Sequence, residues 1–258
     1  GIPFFHAGTD LLRSKSMDRN SYNSGDWFNR LDWTYQTNNW GVGLPPAGDN
    51  SGQWGIMQPL LADASLRPAP SDIDAARRFF LEMLQVRRSS GLFRLQTAAQ
   101  VQERLTFYND GPTQVPGVIV YTLADTASLS AANEILLVVI NAADTALTYS
   151  EAAFVNLPLE LHPILAASFD PATQASTFAR TTGTANVAPR TVAVFVYGLG
   201  RGGGGSTAAG TGGTPPSVLP STGYPPAPES PFQTALPFVV GAVLAGVALG
   251  VSLITRRQ

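Results

Sequence analysis

The chain has 258 residues, enough for one large domain or two smaller ones. Charged residues make up 13% and the formal net charge is −2, which excludes a general electrostatic pull toward nucleic acid. The absence of cysteine excludes disulfides, a thiol nucleophile and thiolate metal ligands, and the two histidines, His6 and His162, are too far apart in sequence to make a zinc site by themselves.

Residues 1–7, "GIPFFHA", read as a short buried strand followed by a glycine turn. No initiator Met and no charged segment ahead of an apolar run stand before it, so the expectation is the C-terminal part of a longer protein. Residues 8–67 then lose periodicity and fill with Asn, Asp, Ser, Gly, Trp and Pro. A structureless stretch of that length is functional or disordered. All four tryptophans (Trp27, Trp33, Trp40, Trp54) lie in it, and the apolar area they bring argues for an ordered loop.

"SDIDAARRFFLEMLQVRRSS" predicts a helix over 71–89. Ser71 is the expected N-cap, Asp72 and Asp74 complement the dipole, and Ile73, Ala76, Phe79, Phe80, Met83, Leu84 and Arg87 form one wide face. After Gly91, "VQERLTFYND", "GVIVYTLAD", "EILLVVINAAD", "AFVNLPL" and "TVAVFVYG" are short β-branched and aromatic runs divided by turn residues, which predicts an antiparallel sandwich to about 198. The nearly continuous apolar character of "EILLVVINA" predicts its central strand.

Residues 199–234 are a Gly-rich and then Pro-rich linker. Residues 235–254 carry no charge over the roughly 20 residues that cross a bilayer, and "TRRQ" (255–258) follows as the expected cytoplasmic tail. A buried helix of a globular domain is the alternative for 235–254.

"LPSTG" at 219–223, the apolar span and the closing arginines together resemble a sortase cell-wall sorting signal of LPxTG type. That resemblance implies cleavage between Thr222 and Gly223, a sortase as partner, and a folded part outside the cell on a bacterial surface. A plain C-terminal membrane anchor is the other reading and gives the same side of the membrane.

"GIPFFHAGTDLLRSKS", "DRNSYNSGDWFNRLDW" and "TNNWGVGLPP" resemble the last barrel strand and following loop of a pullulanase-type α-1,6-glucosidase, a limit dextrinase-like group of the α-amylase superfamily. The likeness runs from 1 to about 198 and takes in "RRSS" and "RTVAVFVYG". It implies a fold of two parts: the end of a catalytic (β/α)8 barrel over 1–90 (strand eight, a long loop, helix eight) and a β-sandwich C-domain over 91–198, with the transmembrane helix after the linker. Loops at this end of a barrel build the active site.

On that resemblance the loop meets an α-glucan such as pullulan, limit dextrin or starch branches. Arg13, Asp18, Arg19, Asp26 and Asn29 are the candidate polar contacts to sugar hydroxyls, with Lys15 beside Arg13. Trp27, with Trp40, is the candidate platform for apolar sugar faces. The bland reading is that Asp and Asn organise turns and the Trp residues form the loop's own core. A retaining glycosidase needs a carboxylate nucleophile and a carboxylic acid. In the family these come from earlier barrel strands, so no catalytic residue is assigned, and Asp10, Asp18, Asp26 and Asp32 show no spacing that marks a pair. No cofactor is expected, and no metal ligand is assigned.

The leading expectation is therefore part of a surface-anchored debranching glycoside hydrolase, inactive alone and incompletely folded, with Phe79, Phe80 and Met83 of the helix uncovered. The alternative is a non-catalytic surface glucan-binding or adhesion module. A purely structural stalk leaves the Trp-rich loop without a purpose.

Overall fold

The computed structural model describes residues 3–200; the linker, the "LPSTG" segment and the apolar span at 235–254 lie outside the described residues. Among the described residues, no helix is long and apolar enough to cross a membrane.

Of the strand expected at 1–7, the described residues Pro3 to Ala7 carry no strand pairing. A strand exists by the ladder it makes with a neighbour, and no described segment lies beside this one to supply it. Instead the chain turns at Gly8, whose φ of 88° suits glycine, into a 3-10 turn over Thr9–Leu11. Any Cβ at Gly8 would stand 2.6 Å from Leu31 Cδ2 and 2.8 Å from Arg13 Cβ, so the close approach also requires glycine.

The long segment that follows is ordered, with more regular structure than its composition suggests. Helices α1 (Ala47–Asn50) and α2 (Trp54–Ala62) and several 3-10 turns interrupt it. Its buried apolar side chains are Leu11, Phe28, Met57 and Leu61, not the tryptophans: Trp27 and Trp33 are 57% and 60% exposed, and Trp40 and Trp54 are half-buried.

Helix α3 runs over Pro70–Ser89. It begins one residue before the expected N-cap Ser71: Pro70 takes the first turn, where its fixed φ is pre-organised, and the Asp72 carboxylate accepts the Ala69 N–H at 2.8 Å. The expected face is largely the buried one. Ile73, Ala76, Phe80 and Val86 are buried, while Leu84 and Arg87 are half-buried. The first half packs on the N-terminal segment, with Phe5 edge-on to Phe80 at 4.9 Å. Phe79 and Met83 pack against the first sheet, so the face expected to be uncovered has a partner within the chain.

Two antiparallel sheets follow. The first holds β1 (Leu105–Phe107), β2 (Val118–Ala124), β3 (Ile135–Asn141), β5 (Glu160–Leu161) and β8 (Thr191–Tyr197), in the order β1-β2-β3-β8-β5. The second holds β4 (Leu147–Ser150), β6 (Thr177–Ala179) and β7 (Thr184–Val187), in the order β4-β7-β6. Strand β3 is central, as its sequence predicts, and every residue in it is buried.

The period of two explains that uniform burial. Ile135, Leu137 and Val139 face the second sheet, where Leu147, Ala185 and Val187 complete the core of the sandwich. Leu136, Val138 and Ile140 face the other way, toward Val86 of α3, Leu92, and Leu165 of the short helix α5 (Pro163–Ala166). At roughly 1.5–3 kcal/mol per buried aliphatic side chain, this strand contributes heavily to stability.

Three sequence expectations are corrected here. "VQERLTFYND" opens as helix and is strand only in its middle: α4 (Ala98–Arg104), started by a capping box in which Thr97 and Gln100 exchange hydrogen bonds, precedes the three residues of β1. "AFVNLPL" begins in a 3-10 turn at Ala152–Phe154, and its Phe154, Leu157 and Leu159 pack into the sandwich core without joining a ladder, while Val155 is exposed. The strands β4, β6 and β7 turn short, mainly polar residues outward, exposed in β4 and β6 and half-buried in β7, an alternation too short to mark a strand in the sequence.

The helix and sandwich are joined by polar contacts as well. Glu82 of α3 accepts from the Ser168 hydroxyl at 2.8 Å and the Phe169 N–H at 3.2 Å. His162 is fully buried, accepts the Ile164 N–H at Nδ1 (3.2 Å), and lies 2.9 Å from Ser89 Oγ at Nε2. Since Nδ1 accepts, Nε2 carries the proton and donates to Ser89, whose hydroxyl donates onward to the Val86 carbonyl at 2.7 Å. This histidine is structural.

Candidate functional site

The loop over 8–67 is held by side chains that bond its own backbone. Asn50, almost completely buried, is the main tie. Its amide nitrogen donates to Asp18 Oδ1 at 2.9 Å and to the Pro46 carbonyl at 2.9 Å, and its Oδ1 accepts the Arg19 N–H at 3.0 Å. Asp18 is 5% exposed; Asn50 is its one close hydrogen-bond donor, and the Ser24 hydroxyl stands nearby, beyond close hydrogen-bond geometry but near enough to act on the carboxylate. Burial raises the Asp18 pKa, but the pull of Ser24, Asn50, the Asn20 backbone and the Lys15 charge outweighs it and holds the carboxyl below its ordinary range.

Arg13 bridges two segments. Its Nη1 lies 3.0 and 3.1 Å from the two ring nitrogens of His6, and its Nη2 donates to Asn29 Oδ1 at 2.8 Å. Asn29 is thereby turned with its amide nitrogen toward the Ser21 carbonyl at 3.4 Å. Lys15 donates to Ser21 Oγ at 3.3 Å. Arg19 lies outside, in an exposed pair with Asp49 at 3.2 Å.

Trp27 is fixed at its edge and open on its face. The 3-10 turn Asp26–Phe28 presents it, its indole N–H donates to the Val42 carbonyl at 3.0 Å, and Asn39 donates to the Trp27 carbonyl at 3.0 Å. A cleft of about 350 Å³ is lined by Asp26, Trp27, Asn29 and Arg30. Of the six candidates from the sequence, three (Asp26, Trp27 and Asn29) therefore meet at one cleft. Arg13 stands behind it through Asn29, Asp18 is sealed inside the loop, and Arg19 is on the outer surface.

Asp32 is a turn organiser. Its Oδ1 accepts from Thr34 N and Oγ1 at 2.9 and 2.5 Å, and its Oδ2 from Thr37 N and Oγ1 at 3.0 and 2.7 Å. Those donors, the Thr34 hydroxyl first, hold its pKa at about 2. Asp10 differs: burial pushes its carboxyl above the ordinary range. It sits on the turn packed under α3, away from the cleft lining. Among the described residues, no group of three or more His, Asp or Glu side chains is placed to hold a metal ion.

Arg30 and Asn50 were not singled out in the sequence. The signal for Arg30 was its place in "GDWFNR", one position past Asn29. Asn50 carried none, because its partners lie 31 and 32 residues away in the chain.

Residues 35–197 match the family described as alpha-1,6-glucosidases, pullulanase-type, C-terminal. The chain belongs to this family. It is 45% identical over 203 residues to pullulanase 1, chloroplastic, of Arabidopsis thaliana, covering 76% of this chain and 21% of that protein. A pullulanase of Klebsiella pneumoniae is 37% identical over 163 residues, 62% of this chain and 15% of the relative. Among solved structures, the maltotriose complex of PulA from K. pneumoniae superposes with a TM-score of 0.64 at 33% identity, covering 75% of this chain and 21% of that one. Apo pullulanase from the same organism gives a TM-score of 0.62 at 34% identity, with 73% and 20% covered. The chain thus spans about a fifth or less of the pullulanases it matches, and the antiparallel sheets resemble the pullulanase C-domain.

Proposed function

We propose that this chain is the C-terminal part of a surface-anchored debranching enzyme that hydrolyses α-1,6-glucosidic bonds in pullulan, limit dextrin or starch branches. Residues 1–90 belong to the end of its catalytic barrel and contribute part of the substrate cleft, and 91–198 form the supporting C-domain. The nucleophile and acid that such hydrolysis requires lie on earlier barrel strands of the full enzyme. Pullulanase membership supports the reaction class.

The observation that carries the substrate side is Trp27. An exposed indole face, locked by its N–H to the Val42 carbonyl, stands beside a carboxylate, an amide and a guanidinium. Glucose offers apolar C–H faces to such a ring and paired hydroxyls to such polar groups. Asp26 and Asn29 are the contacts, Arg13 orients Asn29, Asp18 keeps the loop in shape, and Arg19 marks the outer rim.

Titration of the 258-residue chain with maltotriose, followed by NMR or calorimetry, tests this. Binding that falls about tenfold or more in Trp27→Ala supports it; unchanged binding in that variant overturns the placement. The same chain is expected to release no reducing sugar from pullulan, and release would refute the assignment of the catalytic carboxylates to other strands.

The tail supports anchoring on a bacterial surface, with a span at 235–254 and a sortase acting between Thr222 and Gly223. Mass spectrometry of the mature protein's C-terminus checks it: a surface chain that continues past Gly223 sinks sorting. A non-catalytic glucan-binding module remains the competing reading. A reading frame upstream of Gly1 that encodes the earlier barrel strands rejects that alternative.

A further inference from the structure

A second cleft, of about 280 Å³, shares Trp27 and Arg30 with the first and adds Arg67, Gly41 and Asp32 to its wall. Its charges are unbalanced in an informative way. Asp32 is the carboxylate in its lining, and all four of its acceptor positions are taken by Thr34 and Thr37. It cannot pair with an arginine without giving up the turn it holds. Asp26 stands beside Arg30 in the neighbouring cleft, yet the two form no ion pair. Neither the Arg30 nor the Arg67 guanidinium makes a hydrogen bond or ion pair with any described residue.

The wall is also shaped for one of these groups. Gly41 has a φ of 72°, and a Cβ there would stand 3.1 Å from Arg67 Nη2, so the missing side chain leaves the place where the guanidinium lies. Two planar donor forks facing one cleft match the oxygens of a phosphate, which accepts in pairs. The ring of Trp27 borders the same space and offers a sugar face.

We propose that this cleft binds a phosphate monoester carried on a glucan, the sugar against Trp27 and the phosphate between Arg30 and Arg67. The proposal rests on the reading of Trp27 as a glucan contact and extends it from neutral to phosphorylated chains.

The test is calorimetry on the 258-residue chain with maltoheptaose, the same oligomer bearing a 6-phosphate, glucose 6-phosphate and inorganic phosphate, at low and high salt. The phosphorylated oligomer is expected to bind about tenfold more tightly than the neutral one at low salt, and less so at high salt. That advantage is lost in Arg30→Gln and in Arg67→Gln; Arg67 lies outside the first cleft, so Arg67→Gln keeps its affinity for the neutral oligomer, and an unchanged urea midpoint shows that each variant is folded. Equal affinity for the two oligomers, or an advantage that survives in both variants, overturns the proposal. So does free phosphate or glucose 6-phosphate binding as tightly as the phosphorylated oligomer, because the glucan then adds nothing. Arginine-dependent binding of the phosphorylated oligomer without any binding of the neutral one supports the phosphate site and sinks the neutral-glucan reading. Neutral binding with no phosphate advantage does the reverse.

Discussion

Asn50 holds together three pieces of chain that are distant in sequence, with one amide. Removing it takes from the buried Asp18 carboxylate its one close hydrogen bond. Stripping a partner from a buried charged acceptor is expensive, so Asn50→Ala is expected to destabilise the loop by about 2–4 kcal/mol. All four tryptophans lie between residues 27 and 54, so tryptophan fluorescence during urea unfolding reads this loop directly. A midpoint equal to that of the unaltered chain would show that the tie carries no load. Asp32 yields a pH prediction at the same scale. Its folded pKa, about 2, lies below the ordinary 3.8, so its contribution is present in full above about 4 and disappears as pH falls through 2. The tryptophan signal should therefore hold down to about pH 4 and change below it, and Asp32→Asn should remove that acid step while lowering stability at neutral pH.

At the scale of elements, α3 is the member that joins loop and sandwich. One end packs Phe80 on Phe5, and the other sets Val86 against the first sheet and Ser89 against His162. Burial lowers the His162 pKa from its ordinary 6.5, which sets the sign of a second pH effect. Above 6.5 both folded and unfolded chains are neutral there. As pH falls below 6.5 the unfolded chain gains a proton that the folded one refuses, so stability declines until the folded pKa is reached. Urea midpoints measured between pH 7.5 and 5 should drop, and His162→Gln should flatten that part of the decline at the cost of a lower midpoint at pH 7.5. A decline of equal slope in the variant would assign it to other groups.

For the whole molecule, the continuous core on both faces of β3 makes helix and sandwich one cooperative unit. Leu137 reaches the second sheet and its neighbour Leu136 reaches the α3 side, so a cavity under one face is felt by both. Leu137→Ala is expected to cost about 2–5 kcal/mol. Hydrogen exchange should show α3 and β3 losing protection together. Protection of α3 that survives unchanged would make the helix an independent unit.

What the sequence by itself determined was whatever rests on local pattern. The α3 face, the buried run of β3, β2 and β8, and the grouping of Asp26, Trp27 and Asn29 within one short motif were legible because near neighbours in sequence express them through helical or strand period or through a single turn. The described part of the strand expected at 1–7, Pro3 to Ala7, carries no pairing, since a strand depends on a partner that apolar character does not supply. The short polar-faced strands β4, β6 and β7 escaped notice because four residues cannot display a period. Only the tertiary structure decided which polar residues face a cleft and which are consumed inside the loop. Asp18 and Asp26 are alike on paper. One is sealed by Asn50, 32 residues away, and the other stays in the open beside Trp27, because hydrogen bonds between distant segments assign those places and composition does not encode them.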